Sequence, residues 1–375
     1  MNKAGIYLHI PFCKTKCIYC DFYSITNRDD SINDFVSCIS KEINLNKNKL
    51  SNYEFDTIFF GGGTPSVLKP DQLESIMYNL NENFKISNNC EITLECNPGE
   101  ISFDKLVNFR KLGVNRLSIG FQSFNDKHLK FLGRLHNSKD SINTYNNAQK
   151  AGFENINIDL IYDIPNQTIE EWKNDLKNIT SISPTHISAY SLTVEKNTVL
   201  NSMVKNKTIA MPSSSLDKKM FLTTIDYLDK HGYLHYEISN FSKKDLHCKH
   251  NLHYWKLNPY LAFGPGAHGY DGETRWWNKR SIDYYLESLK QNISPIQTKE
   301  ILSSKDNFNE LIMNGLRLIN GFDYTKNNLL NKDDFKLHLI TNSNISYFIF
   351  DGNQVRLTDD AILFADKIIS DLFII

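Results

Sequence analysis

The stretch Gly5-Ile6-Tyr7-Leu8-His9-Ile10-Pro11-Phe12-Cys13-Lys14-Thr15-Lys16-Cys17-Ile18-Tyr19-Cys20 sets a short apolar run directly before three cysteines spaced C-x3-C-x2-C. β-Branched and aromatic content makes Gly5–Ile10 read as a strand. Similar runs recur at Thr57–Phe60, Glu91–Cys96, Arg116–Phe121, Asn155–Ile164 and His186–Val194. Helical patterns lie between them. Ser31–Leu45 is one, and Pro70–Phe84 opens with Pro at a first helical position. Phe103–Leu112 and Ser138–Ala151 each stop before a glycine, a C-terminal helix signal. Thr168–Ile179 follows the fifth strand. Strand starts spaced by roughly 25 to 50 residues match the scale of βαβ units. Six units predict a parallel α/β fold with right-handed crossovers. We expect a partial (β/α)6 barrel over residues 1–235; spacing alone leaves a flat doubly wound sheet as the alternative.

After residue 235 the rhythm changes. Residues 236–302 are rich in His, Trp and Tyr, with glycine turns in Phe263–Gly269, and read as a connecting segment. Residues 303–375 read as a small α+β domain, winged-helix-like. Ser303–Leu318 is its first helix, Asp351-Gly352 marks a hairpin, and an amphipathic helix capped by Thr358 runs to Leu372.

The chain has 375 residues, with 42 basic against 43 acidic side chains and a formal charge of −1. That balance gives no global attraction to nucleic acid or to an anionic membrane. Apolar residues make up 41% and charged residues 23%, which argues for a folded chain and not a disordered one. No window reaches 18 uninterrupted apolar residues, so no membrane span is expected, and the N-terminus carries no clear signal peptide. Three of seven cysteines crowd into Cys13–Cys20, while Cys38, Cys90, Cys96 and Cys248 are scattered. An odd count with one cluster reads as a metal site in a reducing cytoplasm, not as a disulfide framework.

In a parallel barrel the loop after the first strand lies at the carboxyl-end face, where active sites collect. Three thiolates there would hold three irons of a four-iron cluster and leave the fourth open, whereas structural clusters and structural zinc take four ligands. Asp21 or His9 as a fourth ligand keeps zinc as the alternative. Gly61-Gly62-Gly63-Thr64-Pro65 follows the second strand, and its backbone is expected to offer free polar groups to a ligand. Glu95 ends strand three and Gln122 ends strand four. Asp159 sits among apolar residues, where a carboxylate is costly unless paired or hydrogen-bonded, and Arg134 is a candidate partner. A structural ion pair is the plainer reading of these charges.

The cysteine spacing, with Tyr19 before the third cysteine, resembles the radical SAM superfamily. There S-adenosylmethionine chelates the open iron of a 4Fe-4S cluster, and one electron makes a 5′-deoxyadenosyl radical. Tyr7–Cys13, Gly61–Pro65, Gln122-Ser123-Phe124-Asn125 and Asn157–Tyr162 resemble its oxygen-independent coproporphyrinogen dehydrogenase branch. The resemblance implies that Tyr7, Tyr19, Gly62, Gly63, Thr64, Glu95, Gln122, Arg134 and Asp159 surround one or two S-adenosylmethionine molecules, with Cys13, Cys17 and Cys20 on the cluster.

Two departures divide that branch. Its dehydrogenases continue the motif with one more cysteine, where this chain has Phe22, and its bacterial dehydrogenases carry an N-terminal extension, whereas Tyr7 lies six residues from the start. Both features resemble the haem chaperones of the branch. His250-Asn251-Leu252-His253-Tyr254-Trp255 fits their H-N-x-x-Y-W pattern. An imidazole can ligate haem iron, and Tyr and Trp can stack on a flat ring. His250 is the expected haem ligand, with His253 and Cys248 as alternatives; packing of the second domain is the plainer reading. The resemblance implies haem as cargo, a haem-acceptor protein and an electron donor. Peripheral membrane contact and a homodimer are left open, and coproporphyrinogen oxidation is the alternative activity.

Overall fold

Along residues 2–375, which the computed structural model describes, the alternating patterns resolve into strands and helices in the expected order. Six strands, β1 (Asn2–Ile10), β2 (Tyr53–Gly62), β3 (Ile86–Cys96), β4 (Arg116–Gln122), β5 (Asn155–Tyr162) and β6 (His186–Ser191), lie side by side. Each pairs in parallel with the next. Their spatial order follows the sequence without reversal. A doubly wound sheet reverses its order at a switch point, so the barrel reading stands. The sheet does not close: β7 (Leu234–Glu237) and β8 (Asn240–Ser242) extend it beyond β6, and β9 (Tyr260–Phe263), β10 (His268–Tyr270), β11 (Thr274–Asn278) and β12 (Ile296–Ile301) extend it beyond β1. Residues 236–302 therefore contribute strands to both sides of the barrel sheet.

Side chains alternate across each strand. Leu8, Phe60, Leu94, Leu117, Ile119, Ile158 and Ile187 are fully buried in the main apolar core. The register aligns Tyr7 with Phe59, Phe59 with Thr93, Glu95 with Ser118, Ser118 with Asn157 and Asp159 with Ser188. A single face of six strands thus carries nearly all the polar residues, and this face is the interior that positions the site.

Short helices and strands after the barrel gave little periodic signal, and the longest helix missed from sequence is Ser214–Lys230. The C-terminal part has its own core, built on Phe308, Ile312, Phe335, Leu339, Val355 and Ile368. Three helices there, Ser304–Gly315, Lys332–Asn342 and Ala365–Asp371, pack with the antiparallel strands β13 (Phe322–Asp323), β14 (Phe348–Asp351) and β15 (Gln354–Leu357). The expected hairpin at Asp351-Gly352 forms. The expected helix from Thr358 does not run continuously: a 3-10 turn at Ile362–Phe364 precedes Ala365–Asp371. Among the described residues no helix is long and apolar enough to cross a membrane.

Buried Glu42, on the helix Ile32–Leu45, ties β9–β11 to the barrel. Its carboxylate accepts from the Gly264 N–H at 2.8 Å, from Asn278 Nδ2 at 2.6 Å and from the Tyr285 hydroxyl at 2.7 Å. Burial pushes its pKa up to about 7, against the pull of those three donors.

The carboxyl ends of β1 and β2 are clasped by two backbone bonds, Gly63 N–H to Ile10 O and Thr64 N–H to Phe12 O, both 2.8 Å. A Cβ on Gly63 would fall 2.7–2.8 Å from Ile10 O, Phe12 O and Pro11 C, all backbone atoms. Gly63→Ala is therefore expected to destabilise the chain by about 2 kcal/mol, the scale of overpacking where nothing flexible can give way. Urea unfolding measures this, and a loss below about 0.5 kcal/mol, the usual range for neutral surface changes, would contradict the clasp.

Candidate functional site

The cysteine loop leaves β1 and is pinned at both ends and in its middle. Cys13 N–H donates to Ile25 O at 2.9 Å, and Ile25 N–H donates to Pro11 O at 2.7 Å. At its centre, Ile18 N–H donates to Leu132 O at 3.4 Å and Ile18 O accepts from Leu200 N–H at 2.9 Å. These bonds bring Cys13, Cys17 and Cys20 to the carboxyl end of β1, as expected from sequence. All seven cysteines are free, and the three of the loop are partly exposed. The thiols are near enough that Cys17 and Cys20 both disfavour ionisation of Cys13, whose pKa is pushed up to about 11, chiefly by burial. Among the described residues no three His, Cys, Asp or Glu side chains stand in a closed metal-holding arrangement.

His9 is not free to complete such a set. Its Nδ1 meets the Tyr7 hydroxyl at 3.0 Å and its Nε2 meets Tyr23 O at 2.7 Å. Burial lowers its pKa to about 4.

The glycine turn differs from expectation in one respect. Its backbone N–H groups are already engaged: Gly62 N–H donates to Glu95 Oε2 at 3.1 Å, and the next two form the clasp to Ile10 and Phe12. Gly62 N–H thereby orients the Glu95 carboxylate at the end of β3. Gly62 itself has φ +104, and a Cβ there would lie 2.5 Å from the His9 ring, so only glycine fits.

Glu95 and Asp159 face the interior together. Burial first, and the Asp159 charge second, push Glu95 up to about 8. Burial likewise raises Asp159, against hydrogen bonds from its neighbours. Of the two ways to satisfy Asp159, an ion pair with Arg134 does not form and hydrogen bonding does. Asp159 instead accepts from Asn157 Nδ2 at 2.7 Å and from the Ser118 hydroxyl at 3.2 Å. Fully buried Arg116, at the start of β4, supplies the nearby positive charge that lowers both carboxylates. Arg134 turns to the cysteine loop: Nη1 donates to Cys17 Sγ at 3.4 Å, and Nη2 to Asn97 Oδ1 at 2.6 Å and Gly120 O at 2.9 Å. Tyr19 lies beside Arg134; burial raises its pKa and the guanidinium opposes that rise. Thr64 donates to Cys13 Sγ at 3.3 Å. Gln122 ends β4, buried, with φ +72.

Sequence reading assigned no role to Arg116, Asn97 or Glu91. Glu91 caps the helix Lys249–Trp255, accepting from the N–H groups of Lys249 and His250 at 3.2 Å each. That helix carries the H-N-x-x-Y-W motif. His250 is 1% exposed, with Nδ1 on the Thr57 hydroxyl at 2.8 Å and Nε2 on the Tyr254 hydroxyl at 2.9 Å. It stacks on Phe59 with ring centroids 5.1 Å apart. Thr57 and Gly5, which His250 abuts, belong to the amino-terminal halves of β2 and β1. The motif helix therefore closes the amino end of the barrel, opposite the cysteines. Iron ligation by His250 requires breaking one of its two bonds. His253 is likewise tied, to Asp56 at 2.7 Å, and Cys248 is fully buried.

The other motif residues reach a cavity of about 380 Å³ between the barrel and the C-terminal part. Tyr162, Tyr190, Asn251, Tyr254, Trp255 and Arg317 line it, together with buried Glu237, whose pKa burial raises to about 7. The Arg317 guanidinium lies 5.4 Å over the Trp255 ring. Among the described residues, Trp255 Nε1 and Arg317 Nε have no hydrogen-bond partner.

Comparison with known proteins agrees with this geometry. Residues 7–179 match the family described as the Radical SAM superfamily. The haem chaperone HemW of Bacillus subtilis (strain 168) is 34% identical over 83% of this chain and 82% of its own. HemW of Buchnera aphidicola from Acyrthosiphon pisum is 34% identical over 94% of this chain and 90% of its own. HemW of Escherichia coli K12 is 35% identical over 72% and 70%. Among solved structures, the coproporphyrinogen III oxidase HemN of Escherichia coli, a radical SAM enzyme, superposes with a TM-score of 0.84 at 23% identity. It covers 99% of this chain and 90% of that one, and shows a shared fold. With identity to the haem chaperones sustained over most of both lengths, this chain belongs to the HemW group of the radical SAM superfamily.

Proposed function

We propose that this chain binds haem and passes it to an acceptor protein, and that Cys13, Cys17 and Cys20 carry a 4Fe-4S cluster open to S-adenosylmethionine. Membership of the radical SAM superfamily implies that cofactor pair. The donor chemistry fits it: three soft thiols share one loop, while the neighbouring His9 is committed elsewhere. When bound, the pair supplies one-electron cleavage of a sulfonium. The chain's own residues would orient and shield it. Glu95 presents a carboxylate to a ligand amino group. Gly62 and Gly63 hold the turn close, and Asp159, Gln122, Thr64, Arg134, Tyr7 and Tyr19 supply the surrounding polar and aromatic contacts.

Haem carriage rests on one observation, the sustained identity to proteins described as haem chaperones. The cavity lends physical support. Its volume lies within the usual ligand range of about 300–1,000 Å³. Tyr190, Tyr254 and Trp255 give the cavity an aromatic lining suited to a macrocycle, and Arg317, paired with Asp366 at 2.9 Å, would meet a ligand carboxylate by exchanging that partner. His250 lies behind Tyr254 and outside the cavity lining, so it would hold haem iron through Nε2 only once its bond to the Tyr254 hydroxyl is given up. The partners are an acceptor protein and an electron donor. The HemN-like fold supports coproporphyrinogen oxidation as a second reading, against which Phe22, 67% exposed, stands where the dehydrogenases carry a cysteine.

Titration of the purified chain with haemin is expected to give a saturable Soret shift near one equivalent; a linear, unsaturable response would contradict haem carriage. An anaerobic assay is expected to yield no protoporphyrinogen, and product formation would favour the second reading. With His250→Ala, the Soret position and spin state should change, while Tyr254→Phe, which frees Nε2, should keep histidine ligation. An unchanged His250→Ala spectrum would place the ligand elsewhere.

A further inference from the structure

Between two of the three thiols runs a continuous chain of side-chain hydrogen bonds. Thr64 donates its hydroxyl proton to Cys13 Sγ at 3.3 Å, and its oxygen accepts from Asn97 Nδ2 at 3.0 Å. Asn97 Oδ1 accepts from Arg134 Nη2 at 2.6 Å, and Arg134 Nη1 donates to Cys17 Sγ at 3.4 Å. Each step has a fixed direction. A guanidinium only donates, so its partner must accept. A threonine hydroxyl is free to donate to sulfur when its oxygen is engaged by a donor. The group between them must accept on one side and donate on the other, and a side-chain amide does both at once. An aspartate could not donate to Thr64, and a lysine could not accept from Arg134.

We infer that Asn97 is a positioning residue which aims Thr64 at Cys13 and Arg134 at Cys17, and so sets the reduction potential of the cluster those thiols hold. Hydrogen bonds to cluster sulfurs stabilise the more negative, reduced state and raise the potential. Asn97 touches no thiol itself, and its effect passes through the two donors. It sits just beyond β3, one residue after Cys96, while Thr64 follows β2 and Arg134 follows the helix Asp126–Phe131. One amide therefore locks together three separate carboxyl-end loops around the cysteines.

The inference rests on the cluster reading, so iron and sulfide per chain are measured first on the reconstituted wild type. Their absence counts against the cluster and not against the role of Asn97. With the cluster present, an anaerobic redox titration followed by electron paramagnetic resonance compares wild type, Asn97→Leu, Thr64→Val and the double variant. Asn97→Leu is expected to lower the reduced-to-oxidised ratio at the wild-type midpoint about three- to tenfold, tenfold being about 59 mV for one electron. Thr64→Val should lower it less. The double variant should fall no further than Asn97→Leu, because both changes break one chain. Should Asn97→Leu not fold by circular dichroism, Asn97→Ala removes the same bonds with less bulk and is judged identically. An unshifted midpoint, a double variant equal to the product of the singles, or a folded Asn97 variant that holds no cluster would each overturn the inference.

Discussion

The two backbone bonds that clasp Gly63 and Thr64 to Ile10 and Phe12 are the constraint on which the site depends. Parallel pairing of β1 and β2 brings the strand ends level, with Ile10 opposite Gly62. The absence of a Cβ at Gly63 then lets the second loop lie against the first at van der Waals distance. Everything chemical is arranged around that contact. Cys13 begins where the clasp ends, Thr64 reaches its sulfur, and Gly62 turns Glu95 inward. A bulkier turn would separate the thiols from the residues that bond them.

Within the barrel, the face opposite the aliphatic core holds more negative than positive charge. Glu95 lies in the field of Asp159, Arg116 is buried nearby, and desolvation raises the pKa of both carboxyls. A cation arriving beside Glu95 would favour its ionised form, so ligand binding and proton release are linked there. The opposite end of the barrel is closed by the helix of the H-N-x-x-Y-W motif. Glu91 caps that helix, His250 anchors it to Thr57, and Tyr254, bonded to His250 one turn on, reaches the side cavity together with Trp255. One motif thus joins the barrel floor to the aromatic wall.

Much of this architecture was legible from sequence because it is local. The C-x3-C-x2-C spacing, the glycine turn and the positions of Glu95 and Gln122 at strand ends all follow from short windows, and six apolar runs gave the barrel strands. What sequence could not give was partnership across the chain. Arg134 and Cys17 lie 117 residues apart, and nothing in either neighbourhood names the other. Asp159 needs an ion pair or hydrogen bonds; sequence offers Arg134 for the first, whereas Asn157 on the same strand and Ser118 on the adjoining one supply the second. Arg116 passed as the first residue of a strand. Strands β7 to β12 escaped notice because they are three to six residues long and are defined by the strands they pair with. For His250, sequence pointed to a chemistry and also to a plain packing role, and the geometry displays the bonds that a ligand role would have to exchange.

The account's central claim is that three thiolates leave one iron open to a small sulfonium ligand. Electron paramagnetic resonance of the anaerobically reconstituted, reduced chain tests it directly. The spectrum of the reduced cluster is expected to change on adding S-adenosylmethionine, and the change should saturate. A four-iron signal indifferent to that ligand, or a chain holding one zinc and no sulfide, would contradict it.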